Sequence, residues 1–493
     1  MSDRAVPRKR VTSATDLPVV DAETAAAAVA DDATIAVSGF GSVGDPKAVP
    51  RALARSVERG ERDLGLTVVS GGSVGDPLDT ALVEVGAVDR RYPFVATDAA
   101  RAAVNSRAVA FADPGIAGLS DAVRFGRLVD PDIAIVEAVA VGPDWLVPST
   151  SVGQTPAYVR AADELVVEVN AAQPLELARF HDIVVRDPPP DREPLAVGSP
   201  GDRVGGARLS FDPSKLRAVV RTESRDDPYE FRDPTATDRA IADHLVTALE
   251  RESETDPVFG AAPTLQFGVG SLGNALMSGL AESALADGET GLRYFGEVVQ
   301  DGLLDLLATG QLEAASATSL ALSAAGQDRL FDAPARFAED IVLRPSDVSN
   351  APALVDRFGV VAVNSALEVD LFGNANSTHI GGQRLVSGVG GSVDFNPNAH
   401  LTVVATPSTA ADGSVSTIVP EVSHVDQTEH DIDMVVTEHG VADLRGRSPD
   451  ERATALLGCA DPEFRPALER YLDAARGRDG HVPRAPERLA DWP

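Results

Sequence analysis

Short apolar runs that end in glycines and lead into helix-compatible stretches recur along this chain, and they restrict its fold more than any other feature. Thr34-Ile-Ala-Val-Ser38 runs into Gly39-Phe-Gly-Ser-Val-Gly-Asp45, residues 46–59 restart a helix, and the strand-like run 66–70 again ends in glycines. Residues 20–30 read as an Ala-rich helix, and 132–140, 164–170 and 216–222 read as strands. Strands covered on both faces have no polar side to show, so largely apolar runs of this kind point to parallel pairing. Alternation of such strands with helices specifies an α/β fold.

At 493 residues the chain exceeds what one hydrophobic core accommodates, which implies two or three domains. The Pro-rich stretch 186–194 interrupts the pattern, but strand-like sequence follows it. The polar segment 224–238, SRDDPYEFRDPTATD, is the better linker, with a long helix opening at Arg239. The expected division is therefore 1–228 and 229–493. The halves echo one another: Gly39-Phe-Gly-Ser-Val-Gly-Asp45 and Gly268-Val-Gly-Ser-Leu-Gly-Asn274 share three glycines and a serine, each between a strand and a helix. A duplicated α/β unit with its cleft between the halves accounts for this.

Acidic residues number 75 against 43 basic, a formal charge of -32. Such a surface repels phosphate backbones and argues against nucleic acid as a partner. The single cysteine, Cys459, rules out a disulfide framework and is expected to pack in a core. The N-terminus MSDRAVPRKR lacks an apolar core, and no run is long and apolar enough for a bilayer. A soluble cytoplasmic protein without a membrane partner is the expectation.

Chemistry concentrates at Glu297, which ends the hydrophobic run in Leu292-Arg-Tyr-Phe-Gly-Glu297-Val-Val-Gln-Asp301-Gly302. Two glycine-rich turns, GVGSLGN over 268–274 and GVGGSVDF over 388–395, bracket it. A carboxylate among backbone N–H groups with no β-carbon in front of them can attack an acyl group while the developing oxyanion is stabilised. Both copies of the glycine motif satisfy Gly-x-Gly-x-x-Gly, yet neither has a clean strand end with the ribose-binding acid of a dinucleotide site. A loop receiving the pantetheine or phosphates of coenzyme A fits the same glycines, as do purely structural turns. Two further patterns compete. Gly71-Gly-Ser73-Val-Gly75 matches the serine-hydrolase elbow, with His424, His430 or His439 as late partners, although Ser73 is expected to line the cleft or cap a helix instead. Ser423-His424-Val-Asp426-Gln-Thr-Glu429-His430-Asp431 offers metal ligands but lacks His-Glu-x-x-His spacing, so hydrogen bonding is expected and no metal. Glu438 ends a strand-like run as a site residue would, or anchors a salt bridge with Arg445.

Ser38-Gly-Phe-Gly-Ser-Val-Gly-Asp-Pro-Lys-Ala-Val-Pro50, Val147-Pro-Ser-Thr-Ser-Val-Gly153, Glu168-Val-Asn170, the Glu297 segment, Glu368-Val-Asp-Leu-Phe-Gly-Asn-Ala-Asn-Ser-Thr-His379, the 388–395 turn, Ile418-Val-Pro-Glu-Val-Ser-His-Val-Asp426, Thr437-Glu-His-Gly440 and Ala442-Asp-Leu-Arg-Gly446 together carry a resemblance over essentially the whole chain. It is to the acetyl-CoA hydrolase/transferase family, class I CoA transferases that include succinyl-CoA:acetate CoA-transferases. The resemblance implies two similar open α/β domains of the class I CoA-transferase type with the active site at their interface. It implies catalytic roles for Glu297, Asn350, Gly391 and Glu438. Oxyanion or CoA contacts are implied at Ser73, Gly268, Gly270, Leu272, Gly273, Asn274, Gly388 and Gly390. Coenzyme A would be a substrate, with no tightly bound cofactor, and a homodimer is expected. The implied reaction moves CoA between a short-chain acyl-CoA and a carboxylate such as acetate through a glutamyl-CoA thioester, with acetyl-CoA hydrolysis by the same nucleophile as the alternative. The chain departs from the family at His379-Ile-Gly-Gly-Gln383, at Ala411 before Asp412-Gly413, and at Asp113-Pro-Gly-Ile-Ala, changes that bear on acyl preference.

The acidity is spread along the chain and lysine is scarce beside arginine, a pattern suited to concentrated salt, where screening makes such a charge tolerable. Melting temperature should therefore fall steeply as KCl is removed. A fold intact in salt-free buffer would contradict this reading.

Overall fold

The computed structural model describes residues 5–12, 17–72, 74–259, 263–286 and 291–492. They form two compact units, one of Met1–Glu230, Tyr294–Leu307 and Glu313–Leu354, the other of Phe231–Arg293, Ala308–Leu312 and Val355–Pro493.

In the first unit a parallel sheet runs in the order Val19–Val20, Leu216–Thr222, Glu164–Asn170, Ile133–Val141, Thr34–Val37, Leu66–Val69, Val88–Tyr92, Ala110–Phe111. All nine residues of Ile133–Val141 are buried, which is why that run carries no polar alternation. The chain steps outward from Thr34–Val37 to one edge, then returns to Ile133–Val141 and steps outward to the other. Strand order thus reverses between these two strands, and the crevice at their carboxyl ends is where open α/β sheets take ligands. The Gly39–Asp45 turn stands there.

The helix expected over 46–59 spans Ala48–Glu58, and its start is fixed from a distant strand. Glu168, fully buried, accepts the N–H groups of Lys47 (2.9 Å), Ala48 (2.9 Å) and Val49 (2.6 Å), which otherwise have no intrahelical partner. A carboxylate at this pole also meets the positive end of the helix dipole. Beside it, Lys47 Nζ donates to Glu137 Oε2 (2.7 Å), Asp226 Oδ1 (2.8 Å) and the Asp45 carbonyl (2.7 Å). Burial pushes the Glu137 carboxyl up to about 8 and Asp45 up to about 6, each against the pull of Lys47. Burial works to lower the Lys47 ammonium, but Asp226, Glu137 and Asp45 outweigh it and raise its pKa.

Asp226 belongs to the stretch read as a linker, so the front of that stretch is pinned inside the first unit. The helix expected at Arg239 opens earlier, over Ala236–Thr255, because Thr235 and Asp238 form a capping box. Asp238 N–H donates to Thr235 Oγ1 (3.2 Å) and Thr235 N–H to Asp238 Oδ2 (2.7 Å).

In the second unit Thr264–Phe267, Val360–Asn364, Leu401–Ala405 and Met434–Thr437 run parallel in that order, and Gly440–Asp443 turns back antiparallel. The helices Pro449–Cys459 and Arg465–Arg476 contribute Leu456, Leu468 and Leu472 to a core that also holds Val435 and Leu444. Cys459 lies in this core, and burial pushes its thiol up to about 12. That is the environment of an inert packing residue.

Removing one partner of a buried ion pair leaves the other charge unpaired in a poor solvent. Lys47→Met should therefore cost about 3–5 kcal/mol, read as a lowered urea midpoint. A midpoint equal to the wild type would show that the cluster does not need its cation.

Candidate active site

Glu297 follows the strand Leu292–Phe295 through Gly296. A Cβ on Gly296 would stand 2.4 Å from the Tyr294 hydroxyl, so no other residue fits there without displacing that ring. The Glu297 carbonyl accepts the N–H groups of Thr318 (2.8 Å) and Ser319 (3.2 Å), and Val298–Val299 then pair in parallel with Ser319–Leu320. Its main chain is thus bonded along residues 318–320, and its side chain is half-buried. Asn350 Nδ2 donates to its Oε1 at 2.9 Å, and Asn350 Oδ1 accepts Ser349 Oγ at 2.9 Å. Asn350 is fully buried and closes the one-turn helix Ser346–Ser349, whose Ser346 N–H is bonded to the Gly153 carbonyl (3.0 Å).

The segment 150–153 underlies this pair. Val152 N–H donates to the Thr318 carbonyl (2.9 Å), Gly153 N–H to Thr318 Oγ1 (3.0 Å), and Thr318 Oγ1 to the Arg344 carbonyl (2.7 Å). Thr318 thus links the Glu297 segment to the platform beneath Asn350. Burial first, and the Glu297 carboxylate second, push the Tyr294 phenol far up, so it stays neutral. A carboxylate oriented by a neutral amide, beside a phenol that does not ionise, is equipped for attack on an acyl carbon.

The other described residues that the sequence singles out lie in the second unit. Gly268 follows Thr264–Phe267, and Gly270, at φ +144, stands ahead of the helix Ser271–Ala281. The first backbone bond of that helix is Asn274 N–H to the Gly270 carbonyl (3.0 Å), so the N–H groups of Leu272 and Gly273 lie ahead of the helical ladder. This differs from the first copy of the motif, which is loop throughout. Gly388 and Gly390 (φ +60) lead to Gly391, which caps the short helix Ser392–Phe395. Asn364 ties the two turns to one sheet edge: it exchanges amide hydrogen bonds with Gln266 (3.3 and 3.1 Å) and donates to Asn396 Oδ1 (2.7 Å). Glu438 follows Met434–Thr437 at the carboxyl edge of the same parallel strands, three strand spacings or roughly 14 Å from the first turn.

The anticipated Glu438–Arg445 ion pair does not form. Glu438 accepts Ser408 N–H (2.8 Å) and Oγ (2.6 Å), whereas Arg445 forks onto Glu252 (2.9 and 2.6 Å) and Asp443 (3.0 and 2.8 Å). Ser73 lies outside the described residues. Of the histidines weighed as its partners, His424 packs tilted against His379, with ring centroids 4.3 Å apart, and meets Asp426 at 3.2 Å, His430 is exposed, and His439 sits 3.5 Å from Asp461. Among the described residues no group of three or more His, Cys, Asp or Glu has the geometry to hold a metal, and no helix is long and apolar enough to cross a membrane. Thr318, Asn364, Gln266 and Asn396 escaped sequence reasoning. The available signal for Gln266 and Asn364 is a polar residue near the end of an apolar run, whereas Asn396, in Asp394-Phe-Asn-Pro-Asn398, interrupts no such run.

Residues 8–198 match the acetyl-CoA hydrolase/transferase N-terminal domain and residues 326–472 its C-terminal domain. A succinyl-CoA:acetate CoA-transferase from Clostridium kluyveri is 37% identical over 477 residues, covering 96% of this chain and 88% of that protein. The chain belongs to the acetyl-CoA hydrolase/transferase family. A propanoyl-CoA:succinate CoA transferase from Escherichia coli is 37% identical over 91% of each chain, and an acetyl-CoA hydrolase from Saccharomyces cerevisiae 37% over 89% of this chain and 85% of that one. Fold likeness extends to RipA from Yersinia pestis, with a TM-score of 0.71 at 22% identity over 93% of this chain and 97% of that one. It also extends to a 4-hydroxybutyrate CoA-transferase from Porphyromonas gingivalis, with a TM-score of 0.63 at 22% identity over 94% and 98%. The fold is the two-domain α/β fold of class I CoA transferases, and this family member is an acyl-CoA-dependent transferase or hydrolase.

Loss of one hydrogen bond to a charged group is worth about 10- to 100-fold in rate when that group reacts. Asn350→Ala should lower kcat by about this factor with the fold retained. An unchanged kcat would remove Asn350 from the site.

Proposed function

We propose that this enzyme transfers coenzyme A between a short-chain acyl-CoA (acetyl-, propionyl- or succinyl-CoA) and a carboxylate acceptor such as acetate, with Glu297 as nucleophile. The observation that carries the reading is the Glu297–Asn350 hydrogen bond at 2.9 Å, which orients the carboxylate of a segment whose main chain is bonded to Thr318 and Ser319. Glu297 attacks the thioester carbonyl and expels CoA thiolate, leaving a mixed anhydride. The thiolate then attacks the glutamyl carbonyl of that anhydride, releasing the first carboxylate and leaving a glutamyl-CoA thioester. An acceptor carboxylate attacks the thioester and the steps run in reverse.

Each tetrahedral stage places charge on oxygen, and fixed N–H donors stabilise it at no reorganisation cost. We assign that task to the N–H groups of Leu272, Gly273 and Gly391. Gly268, Gly270, Asn274, Gly388 and Gly390 are assigned to the CoA-binding turns, as is Ser73. Glu438, oriented by two donors from Ser408, is assigned an auxiliary role toward the acceptor. Coenzyme A enters and leaves as substrate. The domain division is proposed at residues 228 and 229.

Hydrolysis is the second reading, because acetyl-CoA hydrolases such as that of Saccharomyces cerevisiae are as similar to this chain as the transferases. The two reactions differ only in which nucleophile reaches the acyl-enzyme. Incubation with acetyl-CoA, with and without succinate or propionate, separates them: transfer requires CoA exchange to depend on the acceptor. Full-rate CoA release without any acceptor would reverse the choice. Glu297→Ala should reduce acyl transfer to background, and near wild-type exchange in this variant would refute the nucleophile. Glu438→Gln should slow turnover on the order of 10²-fold and displace its pH dependence. An unchanged rate and pH profile with a lowered melting temperature would assign Glu438 to scaffolding.

A further inference from the structure

The stretch through which the chain first leaves the first unit is bonded to the glycine turn that packs against the nucleophile strand. Gly41, at φ +63, is placed so that a Cβ would lie 3.3 Å from both Val298 Cγ1 and the Tyr229 hydroxyl. Val298 is the residue after Glu297, and it clusters with Phe40, Ile116 and Ala321, with Tyr229 packed against them. Within this apolar surround Tyr229 donates its hydroxyl to the Gly41 carbonyl (2.5 Å) and its N–H to the Leu322 carbonyl (3.0 Å). Three residues earlier, Asp226 Oδ1 accepts Gly44 N–H (3.0 Å) and Lys47 Nζ (2.8 Å), while Oδ2 accepts Thr150 Oγ1 and Gln173 Nε2 (3.0 Å). Within the turn the Phe40 N–H donates to the Val43 carbonyl (3.1 Å) and Ser38 Oγ to the Gly44 carbonyl (2.9 Å), bonds that shape the turn but do not reach Val298. Gly39, Gly41 and Gly44 all take positive φ, which glycine adopts at little cost and abandons as readily.

We infer that Tyr229 and Asp226 are positioning residues that hold the Gly39–Asp45 turn against Val298 and thereby keep water from the acyl-enzyme on Glu297. The inference rests on the proposed nucleophilic role of Glu297. Neither side chain is assigned contact with substrate. Burial pushes the Tyr229 phenol up to about 12, so it remains a donor across the working pH range. When the clamp loosens, the turn retreats from Val298. Water then adds to the glutamyl thioester carbonyl, the carbon–sulfur bond breaks, and the Glu297 carboxylate and free CoA are regenerated without an acceptor being used. Loss of the clamp therefore shifts the outcome from transfer toward hydrolysis, which a merely structural contact would not do.

The test uses the full chain with acetyl-CoA as donor and succinate as acceptor, measuring turnover and the ratio of free CoA released to succinyl-CoA formed. Tyr229→Phe removes one hydroxyl and should lower transfer about fivefold while raising that ratio severalfold. Should this variant fail to fold, Asp226→Asn, which keeps the shape and drops the charge, is read in the same way. Tyr471→Phe serves as control. Its hydroxyl bonds Glu421 (2.6 Å) in the second unit, and its loss should lower the melting temperature with turnover and ratio unchanged. A wild type that makes no succinyl-CoA would defeat the transferase reading itself. A competent wild type, with folded Tyr229→Phe and Asp226→Asn variants matching it in turnover and ratio, would overturn the clamp alone.

Discussion

One buried ammonium organises the first unit. Lys47 lies among Asp45, Glu137, Glu168 and Asp226, all buried, and its two ion pairs are 2.7 and 2.8 Å long. Charges removed from water are tolerated only when paired and hydrogen-bonded, so each partner must come to a defined place. Glu137 brings the strand Ile133–Val141, Asp226 brings the segment after Leu216–Thr222, and Lys47 itself stands at the start of Ala48–Glu58. The pair spans the point at which strand order reverses. An electrostatic requirement and a topological one therefore coincide at the Gly39–Asp45 turn.

The Glu297 segment is positioned by a different set of contacts. Glu297 is placed by main-chain bonds to Thr318 and Ser319 and by one amide, Asn350, that is itself held by Ser349. Because the Gly153 loop supports Thr318 and the start of the Ser346–Ser349 helix together, the carboxylate and its amide partner share one foundation. In the second unit the same logic appears in neutral form. Gln266, Asn364 and Asn396 bind one another without charge and keep two glycine turns at one sheet edge. A preorganised site needs such supports, since a displaced donor loses most of its effect on the transition state.

Much of the architecture was readable because it is written in local periodicity. The strands Glu164–Asn170 and Leu216–Thr222 occupy the residues their apolar runs indicate, and Thr34–Val37 falls short by one. Helix starts were read less well. The opening at Ala236 depends on a Thr235–Asp238 box that the charged stretch concealed, and the start at Ala48 depends on Glu168, more than a hundred residues away. Long-range pairing defeated sequence reasoning most plainly at Arg445: nearness suggested Glu438, yet the guanidinium reaches Glu252, 193 residues earlier. The Lys47 cluster was invisible for the same reason, its partners lying 90 and 179 residues off. Glu297 stood out from its residue type and glycine context, whereas Asn350 was reached only through family resemblance, because an asparagine after Val-Ser has no chemistry of its own until a carboxylate is brought to it.

During the proposed turnover Glu297 becomes covalently bound to coenzyme A. Incubation of the protein with acetyl-CoA, followed by acid quench, proteolysis and mass spectrometry, locates the adduct on a peptide. The expected result is a CoA thioester on the side chain of Glu297 that disappears when an acceptor carboxylate is added before the quench. An adduct on another residue, Ser73 above all, or turnover without any covalent adduct, would contradict it.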